Sequence, residues 1–469
     1  MPFAATGGLG DVMGSLPAAI KAKEKNNVDV RVVMPLYAMI NDEWRSQMKE
    51  EAVFTVTLAW RNVYCGVKSL VKDGVTYYFI DNEYYFKRGA LYGFYDDGER
   101  YAYFCKAVLE MLIKLDFYPD VIHANDWQSA LTVVYLNTKY RYVEGLANTK
   151  SVFTIHNIEY QGKYDFSILG DVFDMGPEYY ALMRYDDCIN LMKAAIECAD
   201  KVSTVSERYA EEIKTPEYSH GLYHVLYRNA QKLTGILNGI DYSYYSPSKD
   251  TVLAKNYDRR NFVSGKAENK MALQREYGLP ERADVPMLAI ISRLATHKGL
   301  DLVKEVADSI VRDNDVQFVI LGKGEAQYEI FFEELEKRYP DKVKTLLTYN
   351  RDLSKKIYAA CDIFVMPSKS EPCGLSQMIA SRYGAVPVVR ETGGLADSIK
   401  GYWVDGGEIK GNGFTFANYS PAELADRINA AIELYADKAQ NKKFVSKIMG
   451  TDFSWTVSAE KYMEMFNSL

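Results

Sequence analysis

The chain has 469 residues, 48% hydrophobic and 25% charged, with 56 Lys and Arg against 63 Asp and Glu, a net charge of −7. This is ordinary globular composition, long enough for two or three domains with full cores, and too acidic for general binding to nucleic acid or anionic membranes. There is no apolar run of about 18 residues to span a membrane, and the start, Met1-Pro2-Phe3-Ala4-Ala5-Thr6-Gly7-Gly8, does not read as a secretory signal. The six cysteines form no Cys-x-x-Cys pair and the five histidines no Cys/His cluster, so the expectation is a cytoplasmic protein with reduced thiols and no zinc site.

Along the first half, apolar runs predict strands at Val28–Met34, Pro119–Ala124, Ser151–His156, Lys201–Ser206 and Thr234–Asn238. Runs that are apolar on both faces suit parallel strands covered on both sides. Helical patterns occupy Tyr101–Leu115 and Ile189–Ala199. Val53–Leu58 and Val63–Ile80, with Asp73-Gly74 as the turn, predict an inserted antiparallel meander. The stretch Asp241–Asn269 is polar, carries Ser-Pro-Ser and lacks periodicity, so it is expected to be a linker. Strands resume at Met287–Ser292, Val316–Leu321, Val343–Thr348, Asp362–Pro367 and Val386–Val389, alternating with helices at Leu300–Arg312, Tyr328–Tyr339 and Pro421–Ala436. Such alternation predicts α/β, doubly wound parallel sheets. The final segment, Ser454–Leu469, is helical in pattern.

The tetrapeptide Thr-Gly-Gly-Leu occurs at Thr6–Leu9 and again at Thr392–Leu395. Paired glycines before a helix let backbone N–H groups approach a phosphate, although one copy alone is equally a tight βα turn. Two copies, one in each half, point to a shared ligand. Arg293 and Lys298 follow a strand, where open α/β sheets bind ligands, and two cations there suit a diphosphate. Glu371 sits between a strand and a helix, either as a cap or as a group that binds a polyol. Asp126, His156 and Asn157 fall at neighbouring strand ends, and Asn238 precedes a Gly near the break between the halves. The 37 tyrosines fit packing first and sugar stacking second.

The ordered set Thr6-Gly-Gly-Leu-Gly-Asp-Val, His123-Ala-Asn-Asp-Trp-Gln, Thr154-Ile-His-Asn-Ile-Glu-Tyr-Gln-Gly, Leu237-Asn-Gly-Ile-Asp, Ser292-Arg-Leu, Lys298-Gly, Glu371-Pro-Cys-Gly-Leu and Arg390-Glu-Thr-Gly-Gly-Leu-Ala-Asp resembles the bacterial glycogen synthase and plant starch synthase family. The resemblance runs through the whole chain. It implies a GT-B fold: two facing Rossmann-like doubly wound domains with a cleft between them, one at 1–245 joined by the helix 455–469, the other at 246–454. It also implies a retaining glucosyltransferase that adds glucose from ADP-glucose to the non-reducing end of glycogen or another α-1,4-glucan, without a metal or other cofactor.

By the resemblance, Arg293 and Lys298 grip the donor diphosphate, with backbone contacts from Thr392, Gly393 and Gly394 and, in the first half, from Thr6, Gly7 and Gly8. Glu371, His156, Asn157 and Asn238 hold the transferred glucose, beside Cys373, Gly374 and Leu375. Tyr349 stacks on the base and Asp126 lies beside the acceptor. Three departures stand out. The strand that precedes the first glycine loop in the family is absent, so either a start truncated short of that strand or an incomplete central sheet is expected. Ala5 replaces the family's lysine, and Ile379 stands where the wider superfamily has a second glutamate. Two further readings stay open: a catalytically impaired glucan-binding or regulatory protein of this fold, and a transferase with another acceptor. A phosphorylase with pyridoxal phosphate needs a dedicated lysine site that the sequence does not offer.

Overall fold

The computed structural model describes residues 3–4, 7–25 and 27–469. The chain separates into two units, Met1–Asn238 with Trp455–Leu469, and Gly239–Ser454. Among the described residues no helix is long and apolar enough to cross a membrane.

In the first unit, β1 (Arg31–Pro35), β2 (Lys49–Leu58), β3 (Arg61–Lys72) and β4 (Val75–Asp81) form one sheet in the order β1-β4-β3-β2. The expected meander is therefore not an isolated insert. Its last strand pairs in parallel with β1, from Arg31↔Thr76 to Pro35↔Ile80. Asp73 and Gly74 both take positive φ (51° and 76°), as a tight hairpin turn demands. A second sheet holds β5 (Val121–Asn125), β6 (Lys150–Ile155), β7 (Lys201–Thr204) and β8 (Leu233–Gly235), parallel throughout, in the order β8-β7-β6-β5. Among the described residues β1 and β5 each lie at the edge of their sheet, so the parallel strands are divided between two sheets.

Helix α1 (Gly7–Glu24) buries Val12, Leu16 and Ile20 at helical spacing against Trp455, Ala459, Tyr462 and Met465 of the C-terminal helix, together with Val152 of β6. Helix α2 (Asp97–Lys114) is buried over most of its length, α3 (Asp126–Tyr135) follows β5 directly, and α4 (Glu207–Glu212) follows β7.

The second unit is built on a six-stranded parallel sheet of β9 (Met287–Ile291), β10 (Gln317–Leu321), β11 (Val343–Leu346), β12 (Ile363–Met366), β13 (Val386–Arg390) and β14 (Phe414–Phe416), ordered β11-β10-β9-β12-β13-β14. All five residues of β10 are buried, which explains the apolar run Phe318–Leu321, and the buried Gln317 accepts from the Gln274 amide (2.7 Å). The strand order reverses between β9 and β12, which pair through Leu288↔Ile363 and Ala289↔Phe364. At such a switch point the loops after the two strands diverge and leave a crevice at their carboxyl ends.

The expected linker Asp241–Asn269 is corrected in its second half. Helix α5 (Phe262–Tyr277) begins inside it, and its buried face carries Lys266, Asn269 and Lys270. The Lys266 ammonium donates to the carbonyls of Ala359 (3.0 Å) and Tyr383 (3.1 Å), while Lys270 pairs with Asp362 (2.5 Å). A helix whose buried side is polar shows no apolar period.

Candidate active site

The loops after β9, β12 and β13 converge in the second unit. After β9 the chain makes a short turn, Thr296–Lys298, closed by Gly299 at φ +72°. A Cβ on Gly299 would lie 2.0 Å from the carbonyl oxygen of Pro367, so only glycine lets this turn press against the end of β12. The approach brings the Lys298 ammonium to 2.7 Å from Glu371 Oε2, and the Ser368 hydroxyl donates to the same oxygen at 3.0 Å. Glu371 is 7% exposed, so these partners stabilise a carboxylate largely withdrawn from water.

The backbone of this loop is strapped on both sides. Lys369 N–H donates to the His297 carbonyl (2.9 Å), and Arg390 Nη1 donates to the Lys369 carbonyl (2.8 Å). On the far side begins α6 (Gly393–Ser398). A Cβ on Gly393 would sit 2.0 Å from the Glu371 carbonyl, and one on Gly394 2.0 Å from that of Cys373.

Here the structure departs from expectation. Gly394 N–H is already engaged by the carbonyls of Glu371 (3.1 Å) and Pro372 (3.2 Å), and Thr392, Gly393 and Gly394 are buried. The glycine pair serves the close approach of two backbones rather than presenting Gly394 N–H to a phosphate. Cys373 is buried beside it, Leu375 is half-buried, and Gly374 has φ +71°. Position 379 is a buried isoleucine, which brings no carboxylate there.

Arg293 is exposed and forms no ion pair among the described residues, which leaves its guanidinium available to an anion. Tyr349 is 81% exposed and its hydroxyl accepts from Arg351 Nε (3.1 Å), which orients the ring with its faces in solvent.

In the first unit, the parallel register of β5 and β6 sets Asp126 and His156 side by side just beyond the strand ends. Asp126 takes φ +57°, a strained left-handed conformation, and its Oδ1 accepts the N–H of His156 at 2.8 Å. Burial pushes the Asp126 carboxyl up to about 7, opposed by the backbone N–H groups of His156 and Asn157. Burial also holds the His156 imidazole down at about 4, so it is neutral at pH 7. Asn157 Oδ1 accepts from Glu159 N–H (3.0 Å). Asn238 is 5% exposed, and its Oδ1 has no hydrogen-bond partner among the described residues, an unmet acceptor of the kind a ligand hydroxyl satisfies. Gly7 and Gly8 open α1, and a Cβ on either would meet nothing within 4 Å. Thr6 and Ala5 lie outside the described residues.

Sequence reasoning missed Ser368, Arg390 and Gln377. Gln377 is fully buried and its amide donates to Gly374 O (2.9 Å), Cys373 O (3.3 Å) and Ser398 Oγ (2.9 Å), tying the loop after Glu371 to the next helix. The available signal was a lone glutamine beside the apolar run Met378-Ile379-Ala380.

Comparison with known proteins adds two family matches, "Starch synthase catalytic domain" over residues 1–228 and "Glycosyl transferases group 1" over residues 276–446. The chain is 45% identical to a glycogen synthase of Ligilactobacillus salivarius (100% of this chain, 98% of the relative) and 45% identical to one of Clostridioides difficile (100% and 97%). Among solved structures it is similar to the catalytic domain of Starch Synthase IV from Arabidopsis thaliana bound to ADP and acarbose, at 34% identity and a TM-score of 0.88, covering 100% of this chain and 97% of that one. A sucrose-phosphate synthase from Thermosynechococcus elongatus shares the fold at 16% identity and a TM-score of 0.60, covering 99% and 94%. Both structures carry the GT-B glycosyltransferase fold, as this chain does.

Proposed function

Because the chain belongs to the glycogen and starch synthase family of glycosyltransferases, we propose that it is a glucosyltransferase that lengthens an α-1,4-glucan at its non-reducing end, with ADP-glucose as donor and the anomeric configuration retained. The observation that carries this reading is the convergence of Lys298, Glu371 and Ser368 at the switch point of the second unit, with Arg293 unpaired beside it.

The hard step is departure of the nucleoside diphosphate from glucose C1, which leaves an oxocarbenium-like sugar and puts negative charge on the leaving phosphate. Preorganised cations that meet this charge lower the barrier more than any other single device. Arg293 is suited to bidentate contact with the diphosphate, and Lys298 supplies a point charge. Glu371, held by Lys298 and Ser368, accepts hydroxyls of the transferred glucose. Tyr349 offers an aromatic face to the base. In the first unit, neutral His156, Asn157 and the unmet Oδ1 of Asn238 are hydrogen-bonding groups suited to sugar hydroxyls, and the reading gives Asp126 to the acceptor. The reading gives the two cations the charge-neutralising role that a divalent ion fills in other transferases, and places the protein in the cytoplasm with its soluble substrates.

The test is incorporation of labelled glucose into glycogen from ADP-glucose and UDP-glucose in parallel, with EDTA present. Transfer from ADP-glucose is expected. Transfer from UDP-glucose alone overturns the donor, a requirement for added divalent ion overturns the metal-free step, and silence from both donors with glycogen still bound overturns the enzyme reading.

A further inference from the structure

Asn125 has no role in the reaction proposed for this site, yet its amide is hydrogen-bonded at both ends, at one of them to His156. It ends β5 in register with Thr154 of β6. The Ser129 hydroxyl accepts its N–H at 2.5 Å and also lies 2.7 Å from its carbonyl oxygen, so the backbone at this point is clamped. The amide is held at both ends: Nδ2 donates to the His123 carbonyl (3.4 Å), and Oδ1 lies 2.9 Å from His156 Nε2. These two contacts together define which end of the amide is oxygen. An amide oxygen only accepts, so His156 Nε2 must carry hydrogen. A neutral imidazole has a single N–H, which leaves Nδ1 as a lone-pair acceptor.

We propose that Asn125 is a positioning residue that keeps the proton of His156 on Nε2 and thereby presents Nδ1 as the acceptor for a hydroxyl of the transferred sugar. The inference rests on the glucosyl-transfer reading for its consequence, though not for its chemistry. The titratable groups around the ring are His123 on β5, Asp126 at the head of α3, and Tyr209 on α4, whose hydroxyl accepts Ile158 N–H (3.3 Å). His123 is occupied elsewhere, with Nε2 2.5 Å from Thr154 Oγ1, and burial keeps it neutral. No ion pair to His156 occurs among the described residues, so nothing opposes the burial that holds the ring neutral. The neighbour that decides between the two neutral tautomers is Asn125.

Nitrogen NMR on the full-length protein, labelled at its five histidines, reads the tautomer directly. His156→Gln assigns the signal. At pH 7 without substrate, His156 is expected as the Nε2–H tautomer, and Asn125→Ala is expected to shift it toward a mixture. An Nδ1–H tautomer in the wild type overturns the proposal whether or not the protein transfers glucose, so this failure and that of the functional reading are distinct. In kinetics, Asn125→Ala should lower kcat roughly three- to tenfold, the worth of one neutral hydrogen bond, while KM for the nucleotide sugar holds. Asn125→Asp sets a carboxylate against Nε2, draws a second proton onto the ring and blocks Nδ1 as an acceptor. Its activity relative to wild type should then fall as pH drops below about 7, a range in which wild-type His156, at about 4, stays neutral. Asp126 titrates in both proteins, so the ratio of the two profiles is the readout. A flat ratio overturns the proposal.

Discussion

Replacing Lys298 with methionine keeps most of its volume and removes the one charge that faces Glu371 at 2.7 Å. The Coulomb attraction at that distance is about 6 kcal/mol at an effective dielectric of 20, before the cost of withdrawing both groups from water. Breaking a buried pair by deleting one partner typically costs about 3–5 kcal/mol, because the survivor stays charged and unpaired. The side chains here are 17% and 10% exposed, and Ser368 still donates to Glu371, which places the cost at the lower end, about 3 kcal/mol. For a unit of this size that corresponds to a fall in melting temperature of roughly 6–12 °C. Adding Glu371→Gln removes the stranded charge, so the double variant should recover about half of the Lys298→Met loss, a coupling between neighbours of at least about 1.5 kcal/mol once the cost of Glu371→Gln alone is counted. Thermal unfolding of wild type, both single variants and the double variant measures the cycle. Glucose transfer by Lys298→Met should fall heavily in parallel, with a raised donor KM. Additive melting shifts, or an unchanged melting point in Lys298→Met, would refute the argument that this pair is a buried, mutually dependent unit.

Three further outcomes are expected. Gly393→Ala forces a Cβ to 2.0 Å from the Glu371 carbonyl at φ +43°, so it should destabilise by about 1–3 kcal/mol and abolish transfer, whereas Gly8→Ala, with open space around it, should leave the melting point level or slightly raised. Tyr349→Ala should raise donor KM about five- to fiftyfold, the worth of a stacked base, with no change in melting temperature because the ring is 81% exposed. The Asp126 carboxyl is raised to about 7, above an unfolded value of about 3.9, so its stabilising contribution is complete at low pH and is lost as pH rises through about 7. The melting temperature of wild type should therefore decline from pH 5 to pH 8 relative to Asp126→Asn, and parallel curves would refute this.

Much of the fold was legible from local patterns. Strands such as Gln317–Leu321 announced themselves through runs like Phe318–Leu321, because a parallel strand covered on both faces is apolar over most of its length. Asp73-Gly74 marked its hairpin because both residues must take positive φ. Candidate residues fell at strand ends because doubly wound sheets place ligands there. Helix α5 was not legible, since Lys266 and Lys270 are buried by backbone carbonyls and by Asp362, none of which is near them in sequence. Nor was the division of labour within the candidate site. The family resemblance placed Lys298 and Glu371 in the same reaction, but their ion pair depends on Gly299 meeting Pro367. Likewise the engagement of Gly394 N–H by Glu371 and the grip of Asn125 on His156 arise between residues 23 and 31 positions apart. Periodicity and glycine chemistry act over a few residues and so are written in the sequence, whereas hydrogen-bond partners across strands exist only once the sheets have brought distant loops together.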